Sequence, residues 1–292
     1  MSADIHSVNH VGMAVRDMAK TAARYEAMGF LLTPYSMHSG AWKPGDPVAR
    51  LAYGNRCVMF RNNYLEILAS ENAAAPSLRI AGYLARHQGG HIVCFGTEDP
   101  HAVDARLEAS GVKTSGVIPL QRDIDTPDGM RTAKFERVQI APDASPEGYI
   151  QAARHLTPEY IYQPRFISHP NQTVALSEVF LVTDDPDGFE AKYARFCGRK
   201  AERGVARRTF SFPLVSRLSL VSARDAQSVL PGSLLPPVPC VAGVAMESRD
   251  LAGVRSRLRD ASIAFNEVDE KLVVPAEEAM GIAIVFEPVP TG

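Results

Sequence analysis

The sequence predicts an α+β fold built from four copies of a βαβββ unit. Three observations predict it. A strand-length apolar segment followed by an aspartate and an amphipathic helix recurs four times along the 292 residues. Short strand-like segments separated by turn residues follow each helix. The composition, 46% hydrophobic and 22% charged, is that of a soluble globular protein and excludes a disordered chain, a collagen or a coiled coil.

The first copy opens at Val8–Val15. Asp17 is placed to cap the next helix, accepting hydrogen bonds from backbone N–H groups left unpaired at its start. Met18, Ala22, Tyr25 and Met28 follow at helical spacing, and Gly29 stops the run. Its strands are expected at Phe30–Thr33, at Val48–Tyr53 or Arg56–Arg61, and at Tyr64–Ala69. The segment Pro34–Pro47, rich in Gly, Pro and His and holding the single tryptophan, Trp42, reads as a loop and candidate lid. The second copy has His91–Gly96, the cap Asp99, Pro100 at the first helical position, Val103 and Leu107, and the stop Gly111. Its strands are expected at Thr114–Ile118, Thr132–Ile140 and Tyr149–Ala153.

The third copy has Glu178–Thr183, Asp185, Pro186, Phe189, Tyr193, Phe196 and the stop Gly198. Thr209–Pro213 and Arg217–Ser222 are its clearest strands. The fourth has Val241–Met246, Asp250, Leu251, Val254 and Leu258, with Ser262 where a glycine would stand. Ala264–Val268, Lys271–Pro275 and Gly281–Glu287 complete it. The caps are 82, 86 and 65 residues apart, so the third copy is trimmed. Glu71–Gly90 links the first two copies, and Leu156–Thr173, with three prolines, links the halves. The expected division is 1–155, a linker 156–173, and 174–292.

A net charge of −2 makes no electrostatic claim on nucleic acid or an anionic membrane. Apolar runs such as Gly281–Phe286 are strand-sized, far short of the ~20 residues of a spanning helix. Met1–His6 lacks a secretory leader pattern, and Cys57, Cys94, Cys197 and Cys240 sit singly in or beside apolar stretches. A reducing cytoplasm is the expected setting, and the glycosylation triplet Asn171–Thr173 carries no weight there. No G-x-G-x-x-G, Walker A or H-E-x-x-H pattern is present.

The segments Val8–Asp17, Asn63–Leu68 and Gly90–Phe95 resemble the vicinal oxygen chelate superfamily, which includes glyoxalase I and extradiol dioxygenases. His155–Glu159 followed by His169–Asn171 is similar to its glyoxalase-like domain proteins. The resemblance covers residues 5–171 by motif and the rest by unit architecture. It implies that units pair into two cup-shaped mixed sheets with helices outside. It also implies a divalent metal held by first- and last-strand side chains. Carried over, those positions are His10, His91, Glu66 and Gln151, with His155 as rival ligand or proton carrier.

The residue types agree with that implication. Alternate side chains on a strand share a face, so His10 lies beside the small Gly12 and Ala14. Glu66 sits in an apolar strand, where an unpaired carboxylate is costly and calls for a cation or strong donor. Two imidazoles, a carboxylate and an amide oxygen suit Fe2+, Mn2+, Co2+, Ni2+ or Zn2+. One irregularity touches His91. Asp99 lies eight residues beyond it, whereas Asp17 lies seven beyond His10, and a one-residue slip reverses a strand's faces. His169 reads as a linker residue fixing the turn at Pro170. Arg50, Arg122 and Arg131 read as surface arginines, with a grip on carboxylate or phosphate as the alternative. In the second half Glu178 stands in register with His10 and Val241 with His91, and Glu287 lies near the end. Without imidazoles, copies three and four are read as structural.

The expected function is that of a metal-dependent glyoxalase-like lyase or isomerase. It would act on a small molecule with vicinal oxygens through an enediolate. Glu66 would be ligand or base, and His155 or Gln151 would orient or shuttle the proton. Two alternatives stand: a non-haem iron dioxygenase using His10, His91 and one carboxylate, and a non-catalytic small-molecule binding protein. The expected partner is a small-molecule substrate, without nucleic acid or membrane, in a monomer or homodimer.

Overall fold

The structure, a computed structural model, describes residues 4–41, 44–214 and 216–290; Trp42 of the candidate lid lies outside them. The first copy comprises β1 (Ile5–Ala14), α1 (Met18–Ala27), β2 (Ser36–Gly40), β3 (Ala49–Met59) and β4 (Tyr64–Ser70), followed by α2 (Leu78–Arg86). The second comprises β5 (Gly89–Thr97), α3 (Pro100–Ala109), β6 (Ile118–Thr126), β7 (Gly129–Gln139) and β8 (Tyr149–His155), followed by the short α4 (Pro158–Ile161). The third comprises β9 (Thr173–Thr183), α5 (Pro186–Cys197), β10 (Glu202–Arg203), β11 (Arg207–Phe212) and β12 (Ser216–Ser222), followed by α6 (Ala226–Val229). The fourth comprises β13 (Cys240–Ser248), α7 (Leu251–Asp260), β14 (Asn266–Val268), β15 (Lys271–Val274) and β16 (Ala283–Pro288).

The repeat reappears in the capping chemistry. Asp17, Asp99, Asp185 and Asp250 accept from the backbone N–H groups of Lys20, Ala102, Gly188 and Gly253. Each such cap is worth about 1 kcal/mol. Ser262 takes the place that glycine fills in the other copies, with the same left-handed backbone at φ 52.

The strands form one mixed sheet. β1 to β8 close on themselves in the order β1–β4–β3–β2–β6–β7–β8–β5, and β5 pairs back onto β1. The closing contact is β2 against β6, with His38 opposite Arg122. The sheet continues from β5 to β13 through Val241 and Gly90. β9 to β16 repeat the same neighbour order without closing: β10 and β14, two and three residues long, do not pair with each other.

The first copy departs from its expected strands. Phe30–Thr33 is not a strand; Phe30 and Leu32 turn into the core. The first strand after the helix is β2, inside the segment read as a loop. β3 runs through both of the alternatives at Val48–Tyr53 and Arg56–Arg61. In the second copy Gly116, at φ 67, breaks the Thr114–Ile118 run, and β6 starts at Ile118.

One apolar core joins all four copies, from Val11 and Tyr25 through Val93 and Val103 to Val179, Phe196, Val244 and Phe286. α1 packs toward copy four, where the Tyr25 hydroxyl donates to the Ala279 carbonyl at 3.2 Å. α3 reaches copy three through Arg106, which donates to the Phe196 carbonyl at 2.8 Å. Among the described residues no helix is long and apolar enough to cross a membrane.

Candidate functional site

Strand alternation turns one face of each of β1 to β8 into the closed barrel. His10, His38, Glu66, Arg122, Arg137, Gln151 and His155 converge there with Tyr53, Tyr64, Phe135 and Tyr149 around a cavity of about 50 Å3. Two segments read as linkers pack against its walls: Ile80 of α2 clusters with Leu51, Tyr53, Leu68 and Ile92, and Ile161 of α4 with Cys57, Tyr64 and Phe135.

Glu66 is 5% exposed and is the one carboxylate lining the cavity among the described residues. Asn55 Nδ2 donates to its Oε1 at 2.5 Å, and Arg122 Nη1 donates to Asn55 Oδ1 at 2.5 Å. His38 Nε2 lies 3.5 Å from Oε1, and His10 Nε2 lies 3.9 Å from Oε2. Burial raises the Glu66 pKa, against the opposing pull of Arg122, the Asn55 hydrogen bond, Arg79 and Arg137. The imidazoles shift the other way. Burial, and then the charges of His155, Arg122 and His38, hold His10 well below its usual range. Burial and Arg122, Arg79 and Arg137 do the same to His38. Burial and then Arg122 bring His155 down to about 3. All three are therefore neutral at physiological pH and keep a lone pair to offer.

The hydrogen-bond pattern orients them. Asn9 Nδ2 donates to the Tyr162 hydroxyl at 3.0 Å, so Asn9 Oδ1 is left to accept from His10 Nδ1 at 2.8 Å. That assigns the proton to Nδ1 and aims the bare Nε2 at Glu66. His10 is also stacked on Tyr64 at 4.5 Å. Other polar atoms have nothing to bond. His38 Nε2, Gln151 Oε1, both ring nitrogens of His155 and Arg137 Nε are buried without a hydrogen-bond partner. Each such group costs roughly 1–3 kcal/mol, so their gathering in one cavity marks a place for a ligand or ordered water.

Four of the five expected site residues, His10, Glu66, Gln151 and His155, line this cavity. His91 does not, and its assignment as a ligand is corrected. It stacks on His87 at 4.1 Å and Tyr83 at 4.8 Å, and its Nε2 lies 2.9 Å from the His87 carbonyl oxygen. Burial drives its pKa down to about 3. The cause is the one-residue slip: Gly12 pairs with Ile92, which takes the inward place seven residues before Asp99.

His38, Asn55, Arg79 and Arg137 were not singled out by the sequence. His38 lies on β2, whose Ser-Met-His-Ser-Gly run carries no apolar alternation. Arg137 carried a usable signal, being in phase with the apolar Ala133 and Phe135 on β7. Arg122 leaves the surface reading, at 7% exposed. Arg50 keeps it, paired with Glu71, and Arg131 is exposed. His169 fixes its turn: Leu31 N–H donates to Nδ1 at 3.0 Å, and Nε2 donates to the Met59 carbonyl at 2.9 Å.

In the second half Glu178 and Glu287 are paired, while Glu247, also buried, keeps an Oε1 without a hydrogen-bond partner. Glu178 meets Arg207 at 3.0 Å and Arg217 at 3.1 Å, and Glu287 meets Arg217 at 2.9 Å and Lys271 at 2.7 Å.

The donors around Glu66 fit a divalent ion in type: two neutral imidazoles, a carboxylate and an amide oxygen. Their spacing is looser than a formed centre. The two histidines face different Glu66 oxygens, and among the described residues no group of three or more His, Cys, Asp or Glu side chains stands ready to hold an ion.

Comparison with known proteins agrees with this architecture. A family model described as a glyoxalase-like domain matches residues 8–197. No curated protein matches the chain. Among solved structures, a hypothetical protein from Staphylococcus aureus superposes with a TM-score of 0.65 at 13% identity, over 98% of this chain and 100% of that one. A mutant of 4-hydroxymandelate synthase from Streptomyces coelicolor superposes with a TM-score of 0.60 at 11% identity, over 99% of this chain and 95% of that one. A fusion of a xylose isomerase-like TIM barrel with 4-hydroxyphenylpyruvate dioxygenase gives 0.56 at 12% identity, over 100% of this chain and 51% of that one. At such identities these structures speak for the fold alone. The family match spans well over half of the sequence and holds the whole barrel, and on it the chain belongs to the glyoxalase-like domain family of the vicinal oxygen chelate superfamily.

Proposed function

We propose that the barrel is the active site of a glyoxalase-like lyase or isomerase. Its substrate is a small molecule with oxygens on adjacent carbons, and Glu66 moves the proton. One observation carries this reading: a buried carboxylate whose pKa is raised by burial stands among neutral imidazoles in one cavity. A raised pKa makes Glu66 a stronger base than an ordinary carboxylate, as removal of a proton next to a carbonyl requires. Asn55 holds Oε1 in place, which leaves Oε2 to face the substrate beside His10. The Arg122 guanidinium supplies fixed positive charge for the enediolate oxygen. Glu66 itself would return the proton to the second carbon, with His155, neutral and without a hydrogen-bond partner, as a polar group that helps to orient the substrate. A divalent ion held by His10, His38 and Glu66 would add Lewis-acid polarisation of the carbonyl. The four cysteines are free and buried, which supports the cytoplasmic setting.

The test is solvent exchange in D2O with a panel of small 2-hydroxy and 2-oxo compounds, followed by proton NMR with and without added divalent metals. The expected result is deuterium uptake at the carbon beside the carbonyl, reduced about 100-fold or more by Glu66→Gln. Binding without exchange would replace catalysis with a purely sequestering role.

A further inference from the structure

We propose that the cleft between α2 and the adjoining ends of β7 and β8 is a second subsite, which holds the distal, hydroxyl-bearing part of a substrate whose reacting end lies in the barrel. The inference rests on the barrel being the working site, and not on proton transfer by Glu66.

The barrel cavity, about 50 Å3, holds a few non-hydrogen atoms, little more than the two oxygen-bearing carbons. Any longer substrate must extend out of it. Beside it lies a surface cleft of about 600 Å3, and Arg79, Arg137 and Tyr149 line both spaces. The partition is therefore made of side chains. The Arg79 guanidinium lies 4.5 Å from the Tyr149 ring centroid and donates to the Tyr53 hydroxyl at 3.1 Å. Arg137 Nη1 donates to the Tyr149 hydroxyl. Arg79 and Tyr149 are only half-buried, so side-chain rotation joins the two spaces without moving a strand. Toward α4 the cavity shares only Arg122 with the neighbouring hollow among the described residues, and Arg122 is buried and held by Asn55.

The cleft is lined for a polar occupant. The Tyr83 hydroxyl, Ser145 Oγ and Arg137 Nε are buried without a hydrogen-bond partner among the described residues, and all three residues line the cleft. Ser145 is 5% exposed and Arg137 4%. Leaving such groups unmet is costly. A hydroxyl suits all three, since it accepts from Arg137 and takes either role with Tyr83 and Ser145. An aliphatic tail would leave them as they are. α2 also leaves room. Leu78, Gly82 and Arg86 follow one another along its cleft-lining side at helical spacing. A Cβ at Gly82 would meet nothing within 4 Å. Glycine inside a helix is destabilising, so helix formation does not favour this opening.

The experiment is calorimetric titration of the full chain with lactate, 2-hydroxyhexanoate and gluconate, at one pH and constant ionic strength. All three are 2-hydroxy acids with one negative charge. The second adds an aliphatic tail, and the third adds a tail of the same length that carries hydroxyls. Gluconate is expected to bind ~10-fold or more tightly than either of the others. Ser145→Ala is expected to weaken gluconate ~3- to 10-fold. In Gly82→Phe, whose ring fills the cleft, the gluconate preference over lactate is expected to disappear. Its melting temperature should be no lower than that of the wild type, because phenylalanine is the better helix former. Gluconate binding no tighter than 2-hydroxyhexanoate would overturn the proposal, as would an undiminished gluconate preference in folded Gly82→Phe. Lactate binding with no gain from either tail would sink this reading and leave the barrel assignment standing, whereas no binding of any of the three would sink both. Gluconate preference without deuterium exchange would sink proton transfer by Glu66 and leave the second subsite in place.

Discussion

At the scale of single residues, the barrel interior is governed by burial acting in opposite directions on acids and imidazoles. Burial, reinforced by arginine charge, keeps His10, His38 and His155 neutral, and it raises Glu66. The consequence for stability has a definite sign. An unfolded histidine takes up its proton near pH 6.5, whereas folded His155 and His91 wait until about 3. Between those values the unfolded chain binds more protons, so stability is full above pH 6.5 and falls on acidification through that window. Glu66 contributes with the opposite sign, but it is one group against several. Melting temperatures measured from pH 7 to 4 should therefore drop steadily, and His155→Phe should flatten the slope. A flat profile in the wild type would contradict the buried neutral imidazoles. His10 and Glu66 came from the resemblance, with strand alternation agreeing, and both line the cavity. His91 misled because its register is one residue out, and the count of seven residues back from Asp99 pointed to Ile92.

At the scale of elements, the feature that makes a site is the closing pair, β2 on β6, which sets His38 opposite Arg122. The second half lacks that closure because β10 and β14 are too short to meet. Sequence did not disclose β2: a short strand of polar and small residues is defined by its partners β3 and β6, not by its own pattern. α2, inside the segment Glu71–Gly90 read as a linker, was missed as well, although Ser77 caps it and Ile80, Tyr83 and Leu84 follow at helical spacing. Gly54 tests the closure. It faces β2 so closely that a Cβ would lie 2.3 Å from the Ser36 carbonyl oxygen. Gly54→Ala should cost ~2–4 kcal/mol, seen as a lower melting temperature, and should weaken ligand binding by displacing β2 and His38. Wild-type melting and binding in this variant would show that β2 is not held where the barrel requires it.

At the scale of the whole molecule, the four-fold repeat and the fold class were readable from the spacing of capping aspartates. Hidden from sequence was that one half closes into a barrel while the other stays open, with Glu178 and Glu287 paired to Arg207, Arg217 and Lys271. A single core binds both, so differences between them are of charge and closure rather than of independent folding. A carboxylate in a structural network and one in a working cavity should differ in what their neutralisation does to activity. The most direct measurement is a paired comparison of Glu66→Gln and Glu178→Gln for both melting temperature and deuterium exchange. The account predicts that Glu66→Gln loses exchange while folded, whatever its melting temperature. It predicts that Glu178→Gln loses ~3–5 kcal/mol of stability by stranding Arg207 and Arg217, and exchanges normally while folded. Full exchange by Glu66→Gln, or its loss in folded Glu178→Gln, would contradict the assignment of the active site to the barrel.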